Sequence, residues 1–226
     1  MPATERLVHV PIGTLELEGD LAVPRDATGI VLFAHGSGSS RHSPRNRYVA
    51  RQLNEAQLGT LLIDLLTPEE EALEARTRHL RFDIDLLARR LVGAAAWLKS
   101  EPSTRAFSIG CFGASTGAAA ALVAAAERPD DVGAVVSRGG RPDLAEAALP
   151  RVQAPTLLII GGHDTVVLGL NQLAYDRLRG EKEIAIVPGA THLFEESGAL
   201  EHVARLARVW FRQHLTAPDR QRGAAE

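Results

Sequence analysis

The chain has a single cysteine, Cys111. It therefore cannot form an internal disulfide, and a reducing compartment is the expectation. It also lacks an excess of either charge. A formal net charge of -3 over 226 residues leaves no basic surface for a nucleic-acid backbone. No apolar run is long enough to span a bilayer. The segment Met1–Arg6 leads within a few residues into a polar, hairpin-like stretch instead of the apolar core of a signal peptide, so a soluble cytoplasmic protein is expected. No histidine pair has the spacing of a helical zinc motif, and His35 with His42 lacks a partner carboxylate, so neither metal nor cofactor is expected. Internal repeats and low-complexity tracts are missing too. The length suits one α/β domain over residues 1–216, with 217–226 read as a frayed tail.

What the chain does have is alternation. Strand-like and helix-like segments follow one another, which argues for a mostly parallel sheet with helices on both faces. Leu7–Val10 and Leu15–Val23 read as an antiparallel hairpin at its edge. Ile30–Ala34 is a buried strand ending at His35-Gly36. Ser43 caps a helix with Pro44 in its first turn, running to about Gln57. Thr60–Leu66 is the next strand, and Thr67–Leu80, acidic then basic, is a surface loop or short helix. Phe82–Lys99 sets Leu86, Leu87, Leu91, Ala94, Ala95 and Leu98 at helical spacing. Val132–Val136 is a strand, and Asn171–Leu178 and Leu200–Leu215 read as the last helices.

The densest chemical signal is Gly113-Ala114-Ser115-Thr116-Gly117. An apolar strand-like run, Ala106–Phe112, precedes it, and an alanine-rich helix former, Ala118–Ala126, follows. Gly-x-Ser-x-Gly between a strand and a helix is the setting of a nucleophile elbow. So sharp a turn strains the serine and demands neighbours almost without side chains. Two further strand ends carry matching groups. Thr156–Ile160 runs into Gly161-Gly162-His163-Asp164, and Glu183–Val187 into Pro188-Gly189-Ala190-Thr191-His192. Ser115, Asp164 and His192 are thus candidates for nucleophile, orienting acid and base. His163 precedes the acid and ranks as a loop residue, while His9, His79, His202 and His214 fall on surface elements.

With its elbow, its Asp and His at strand ends in the order Ser…Asp…His, and its His-Gly turn after the first central strand, the chain resembles the α/β-hydrolase superfamily over roughly residues 8–215. Within it the chain resembles the dienelactone hydrolase-like group. The resemblance implies an α/β-hydrolase fold and cleavage of a small ester or lactone through an acyl-enzyme. It also implies an oxyanion hole formed by the backbone N–H groups of Thr116 and Ser37. Dienelactone hydrolases proper usually carry a cysteine nucleophile and an acidic residue after the first-turn histidine. Ser115 and Gly36 stand at those places here, which shifts the expectation towards general carboxylic ester hydrolysis. Where many relatives insert a helical cap, only Arg138–Arg151 intervenes, so no cap domain and an open site are expected.

Arg41 and Arg45, with His42, follow the expected oxyanion loop, and Arg138 and Arg141 follow the Val132–Val136 strand. All lie at the sheet edge where sites form in open α/β folds, so Arg41, Arg138 and Arg141 are candidate contacts for a substrate carboxylate. The bland alternative is a solvated rim, or pairs with Asp64, Asp143 or Glu69–Glu71. Two other readings stay open: a catalytically idle binding module on this fold, and acyl transfer or peptide cleavage by the same three residues.

Overall fold

A computed structural model describes residues 4–215; the expected tail at 217–226 lies outside them. An 8-stranded sheet runs in the order β1-β2-β4-β3-β5-β6-β7-β8. Its strands are β1 (Glu5–Ile12), β2 (Leu15–Ala22), β3 (Ile30–Ala34), β4 (Gly59–Ile63), β5 (Ile109–Ala114), β6 (Val132–Arg138), β7 (Thr156–Gly161) and β8 (Lys182–Val187). β1 and β2 form the expected edge hairpin, with β2 antiparallel to β4, and every other pairing is parallel. The helices are α1 (Pro44–Glu55), α2 (Pro68–Thr77), α3 (Ile84–Ser100), α4 (Thr116–Glu127), α5 (Thr165–Arg177) and α6 (Ala199–His214).

The two middle strands, β3 and β5, are buried at every position and carry no polar side chain because both faces are covered. Their side chains sort by the two-residue period. On β3, Ile30, Leu32 and Ala34 belong to the core layer covered by α3 and α4, while Val31 and Phe33 belong to the opposite layer, with residues of α1 and α6. Beneath the elbow, Phe33 and Phe112 touch across β3 and β5 with ring centroids 4.9 Å apart. Truncating either to alanine would cost about 3–5 kcal/mol. α4 is buried along most of its length, and its run of alanines lets it lie close against the sheet.

Helix starts follow their caps. Ser43 accepts from the Asn46 N–H ahead of α1, as its sequence signal implied. Thr67–Leu80 resolves into α2 with a complete capping box between Thr67 and Glu70. α5 begins at Thr165, six residues before the expected Asn171. The span between β6 and β7 holds a kinked 3-10 segment, Pro142–Arg151, and no cap domain. Two of the four histidines expected on surface elements, His202 and His214, are half-buried, the His214 ring 4.4 Å from that of Trp210. Among the described residues no helix is long and apolar enough to cross a membrane.

Candidate active site

Ser115 joins β5 to α4 at φ 50° and ψ -122°, a region that a residue with a side chain rarely enters. Its flanking glycines are required by space. A methyl group on Gly113 would lie 2.7 Å from Ala118 N, and one on Gly117 would lie 2.6 Å from His35 O. Both obstacles are backbone and cannot turn away. The end of β6 and the loop after it hold the serine from the other side, because the Ser115 N–H donates to Arg138 O at 3.4 Å and the Arg141 N–H donates to Ser115 O at 3.0 Å. The positive end of α4 lies directly after the nucleophile.

Asp164 stands at the start of α5 but does not cap it with its side chain. Its carboxylate instead meets His192, with Nδ1 2.7 Å from Oδ2. That pairing assigns the proton to Nδ1 and leaves Nε2 as the free acceptor. The loops carrying the pair are sewn together: the His163 N–H donates to Ala190 O at 2.9 Å. Glu196, which sequence reasoning passed over, accepts from both the N–H and the hydroxyl of Thr191, at 3.1 and 2.6 Å. It thereby fixes the turn immediately before His192. Ser115 and His192 line one open cavity of about 220 Å³. No hydrogen bond among the described residues joins the Ser115 hydroxyl to His192, and such contacts are often long without substrate.

Opposite them, the loop after β3 brings Ser37 to Thr116, their hydroxyls 3.1 Å apart. Thr116 N–H is the first of α4 and has no helical acceptor. Neither it nor the Ser37 N–H has an acceptor among the described residues. Two free donors therefore flank the nucleophile.

The arginines separate by partner. Arg41 is held by Asp64, Glu18 and Asp20 and lines a different cavity, beside Asp64 and Glu71. Arg141 forms a two-pronged pair with Asp143 at 2.8 and 2.9 Å. Neither lines the serine's cavity, so the candidate substrate contacts at Arg41 and Arg141 are not found there; the alternative of pairs with Asp64 and Asp143 is what the structure shows, each carboxylate holding its arginine elsewhere. Arg138 does line that cavity. It is 6 % exposed, and among the described residues no carboxylate pairs with it; its partner is an amide. One nitrogen donates to Asn46 Oδ1 at 3.2 Å, its Nε meets no acceptor, and its guanidinium lies 5.9 Å from the Phe194 ring centre. Burial pushes its pKa down to about 10, with a smaller push from Arg45, so it stays charged at neutral pH. Among the described residues no cluster of three or more His, Cys, Asp and Glu side chains could hold a metal ion.

Comparisons with known proteins agree with this architecture. The model of the dienelactone hydrolase family matches residues 24–215. A crystal structure of dienelactone hydrolase from Anabaena variabilis is 61 % identical, covering 95 % of this chain and 100 % of that one with a TM-score of 0.94. Est1E from Butyrivibrio proteoclasticus shares the fold at 15 % identity, with a TM-score of 0.76 over 92 % of this chain and 98 % of its own. Proteins from two strains of Mycobacterium tuberculosis are 57 % identical over 217 residues, which is 96 % of this chain and 48 % of theirs. Their name provisionally gives them as phosphoribosyl transferases. The chain spans about half the length of these curated relatives.

Proposed function

The chain belongs to the dienelactone hydrolase family, and from that membership we propose that it is a cofactor-free serine hydrolase of carboxylic esters or lactones, acting through Ser115, His192 and Asp164. One conjunction carries the reading. A serine held at positive φ and a histidine hydrogen-bonded to a carboxylate at 2.7 Å line the same cavity. The transferase name of the longer relatives describes proteins of which this chain spans 48 %, and the residues here support acyl chemistry.

Ser115 Oγ attacks the ester carbonyl while His192 Nε2 takes its proton. Asp164 holds the ring in the tautomer with hydrogen on Nδ1 and stabilises the imidazolium that forms. The carbonyl electron pair moves to oxygen, where the N–H groups of Ser37 and Thr116 receive the negative charge. Each donor of this kind is worth about 3–4 kcal/mol of barrier. Collapse breaks the bond to the leaving oxygen, which takes the proton from His192. Water, deprotonated by the same histidine, then splits the acyl-enzyme and restores Ser115. In a lactone the leaving alcohol stays tethered to the acyl group, and the product is the ring-opened hydroxy acid.

Arg138 narrows the substrate. A buried guanidinium without a counter-ion is costly, and a carboxylate beside the scissile ester would supply the missing partner in a two-pronged contact. In about 220 Å³ that carboxylate can stand only a few bonds from the reacting carbonyl. The lone cysteine, Cys111, is buried in the core with its thiol pKa pushed up to about 12, which suits a structural role.

Turnover of nitrophenyl esters of graded acyl length tests the reading. Wild-type protein should hydrolyse them, and Ser115→Ala and His192→Ala should each lose nearly all activity, the double variant little more, because these groups act as a unit. Near wild-type turnover by Ser115→Ala would refute it.

A further inference from the structure

His35 is a buried histidine that the mechanism above leaves unused. It follows β3, is 6 % exposed, and makes two ring contacts. The Leu65 N–H donates to Nε2 at 3.1 Å, and Nδ1 lies 3.0 Å from Gly36 O. The first contact fixes the second. Nε2 accepts and so carries no hydrogen, which puts the proton of the neutral ring on Nδ1, where it donates to the Gly36 carbonyl. Burial lowers the pKa of the ring against the smaller opposing pull of the Gly36 carbonyl and of Asp64, so the neutral form persists. The Ser39 N–H also donates to Gly36 O, at 3.2 Å.

The Gly36 carbonyl and the Ser37 N–H are the two ends of one planar trans peptide unit, and they point in opposite directions. Whatever grips the carbonyl aims the N–H. We infer that His35 is a positioning residue for the oxyanion hole: its ring braces the Gly36–Ser37 peptide against residue 65, just past β4, and holds the Ser37 N–H towards the cavity. Without the ring, the Gly36 carbonyl keeps the bond from the Ser39 N–H and Ser37 keeps its hydroxyl contact with Thr116, but the peptide between them can rotate, which takes a donor away from the developing oxyanion. The N–H of Thr116, set by α4, needs no such brace. The inference rests on the serine-hydrolase reading.

The test compares His35→Phe, which fills the space without hydrogen bonds, with His35→Gln, whose amide can accept from Leu65 N–H and donate to Gly36 O. In the Phe variant kcat should fall by up to about 100-fold, the scale for misplacing a catalytic group. KM should stay within about twofold, as for a contact made only in the transition state. Affinity for a trifluoromethyl ketone, whose hydrated adduct places an oxyanion in the hole, should fall by the same factor as kcat/KM. Gln should restore most of both. His35→Asn, too short to span the two contacts together, replaces Phe if that variant does not fold. Unchanged kcat, a kcat loss with full trifluoromethyl ketone affinity, or a Gln variant no better than Phe would each overturn the inference while leaving the hydrolase reading intact. Wild-type protein without esterase turnover would sink both.

Discussion

The backbone N–H of Arg141 donates to the backbone carbonyl of Ser115 at 3.0 Å. Together with the Ser115 N–H bond to Arg138 O, it clamps the strained elbow from the end of the neighbouring strand. The nucleophile's backbone is therefore held by the last residue of β6, Arg138, and by Arg141 in the loop beyond it, and the Arg138 side chain lines the same cavity. Strain and electrostatics at this site share one strand end.

Gly117→Ala should be strongly destabilising, because the added methyl meets the carbonyls of Ala34 and His35 on the central strand. Overpacking typically costs about 1–3 kcal/mol, and an obstacle of backbone that cannot turn away puts this case at the upper end. Thermal denaturation should show a clear fall in Tm, and Gly169→Ala, where a methyl meets nothing within 4 Å, is the matched control. Equal Tm values in the two variants would contradict the packing account of the elbow.

Arg138→Met should separate charged from neutral substrates. Turnover of an ester bearing a carboxylate should fall by about 10-fold or more, the scale of a lost charge-assisted hydrogen bond. The matched neutral ester should change little. Removing a buried charge that has no counter-ion should leave Tm unchanged or higher. Kinetics on the ester pair, with a melting curve for each protein, check both halves. Equal losses on the two esters would return Arg138 to a structural role.

Protonation of His35 gives a pH signature in stability. Its folded-state pKa is lowered by burial from the usual 6.5, with Asp64 pulling the other way and Glu71 and Glu74 on the wall of the same small cavity. The unfolded chain therefore binds a proton that the folded chain refuses. The stabilising contribution is complete above about 6.5 and is lost as pH falls towards the folded value, at a limiting slope of about 1.4 kcal/mol per pH unit. His35→Gln should remove that slope between pH 6.5 and the onset of carboxylate titration, as read by denaturant unfolding at several pH values. Parallel pH profiles for the two proteins would contradict it.

Much of this was legible in the sequence because the signals are local. Gly113 and Gly117 announce the elbow, and the strand ends before Asp164 and His192 place both partners on one sheet edge. The start of α5 was missed because Thr165-Val166-Val167 opens it with β-branched residues that favour strands, although Asp164 is a reasonable cap residue. α2 carried its own label in the spacing of Thr67, Pro68 and Glu70, obscured by a mixed charge run. For the arginines the sequence left a substrate contact and a carboxylate pair both open, with Asp64 and Asp143 among the possible partners. Only the folded chain decides between them, setting Arg41 on Asp64 and Glu18, Arg141 on Asp143, and Arg138 with Asn46 and Phe194, distant in sequence. His35 depends in the same way on Leu65, thirty residues on.

The central claim is that Ser115 is an activated nucleophile, and fluorophosphonate labelling followed by intact-mass and peptide analysis tests it most directly. The account predicts one adduct per chain on the peptide containing Ser115, slowed severely in His192→Ala and absent in a folded Ser115→Ala protein. No adduct on the wild-type protein, or labelling that persists unchanged in Ser115→Ala, would contradict it.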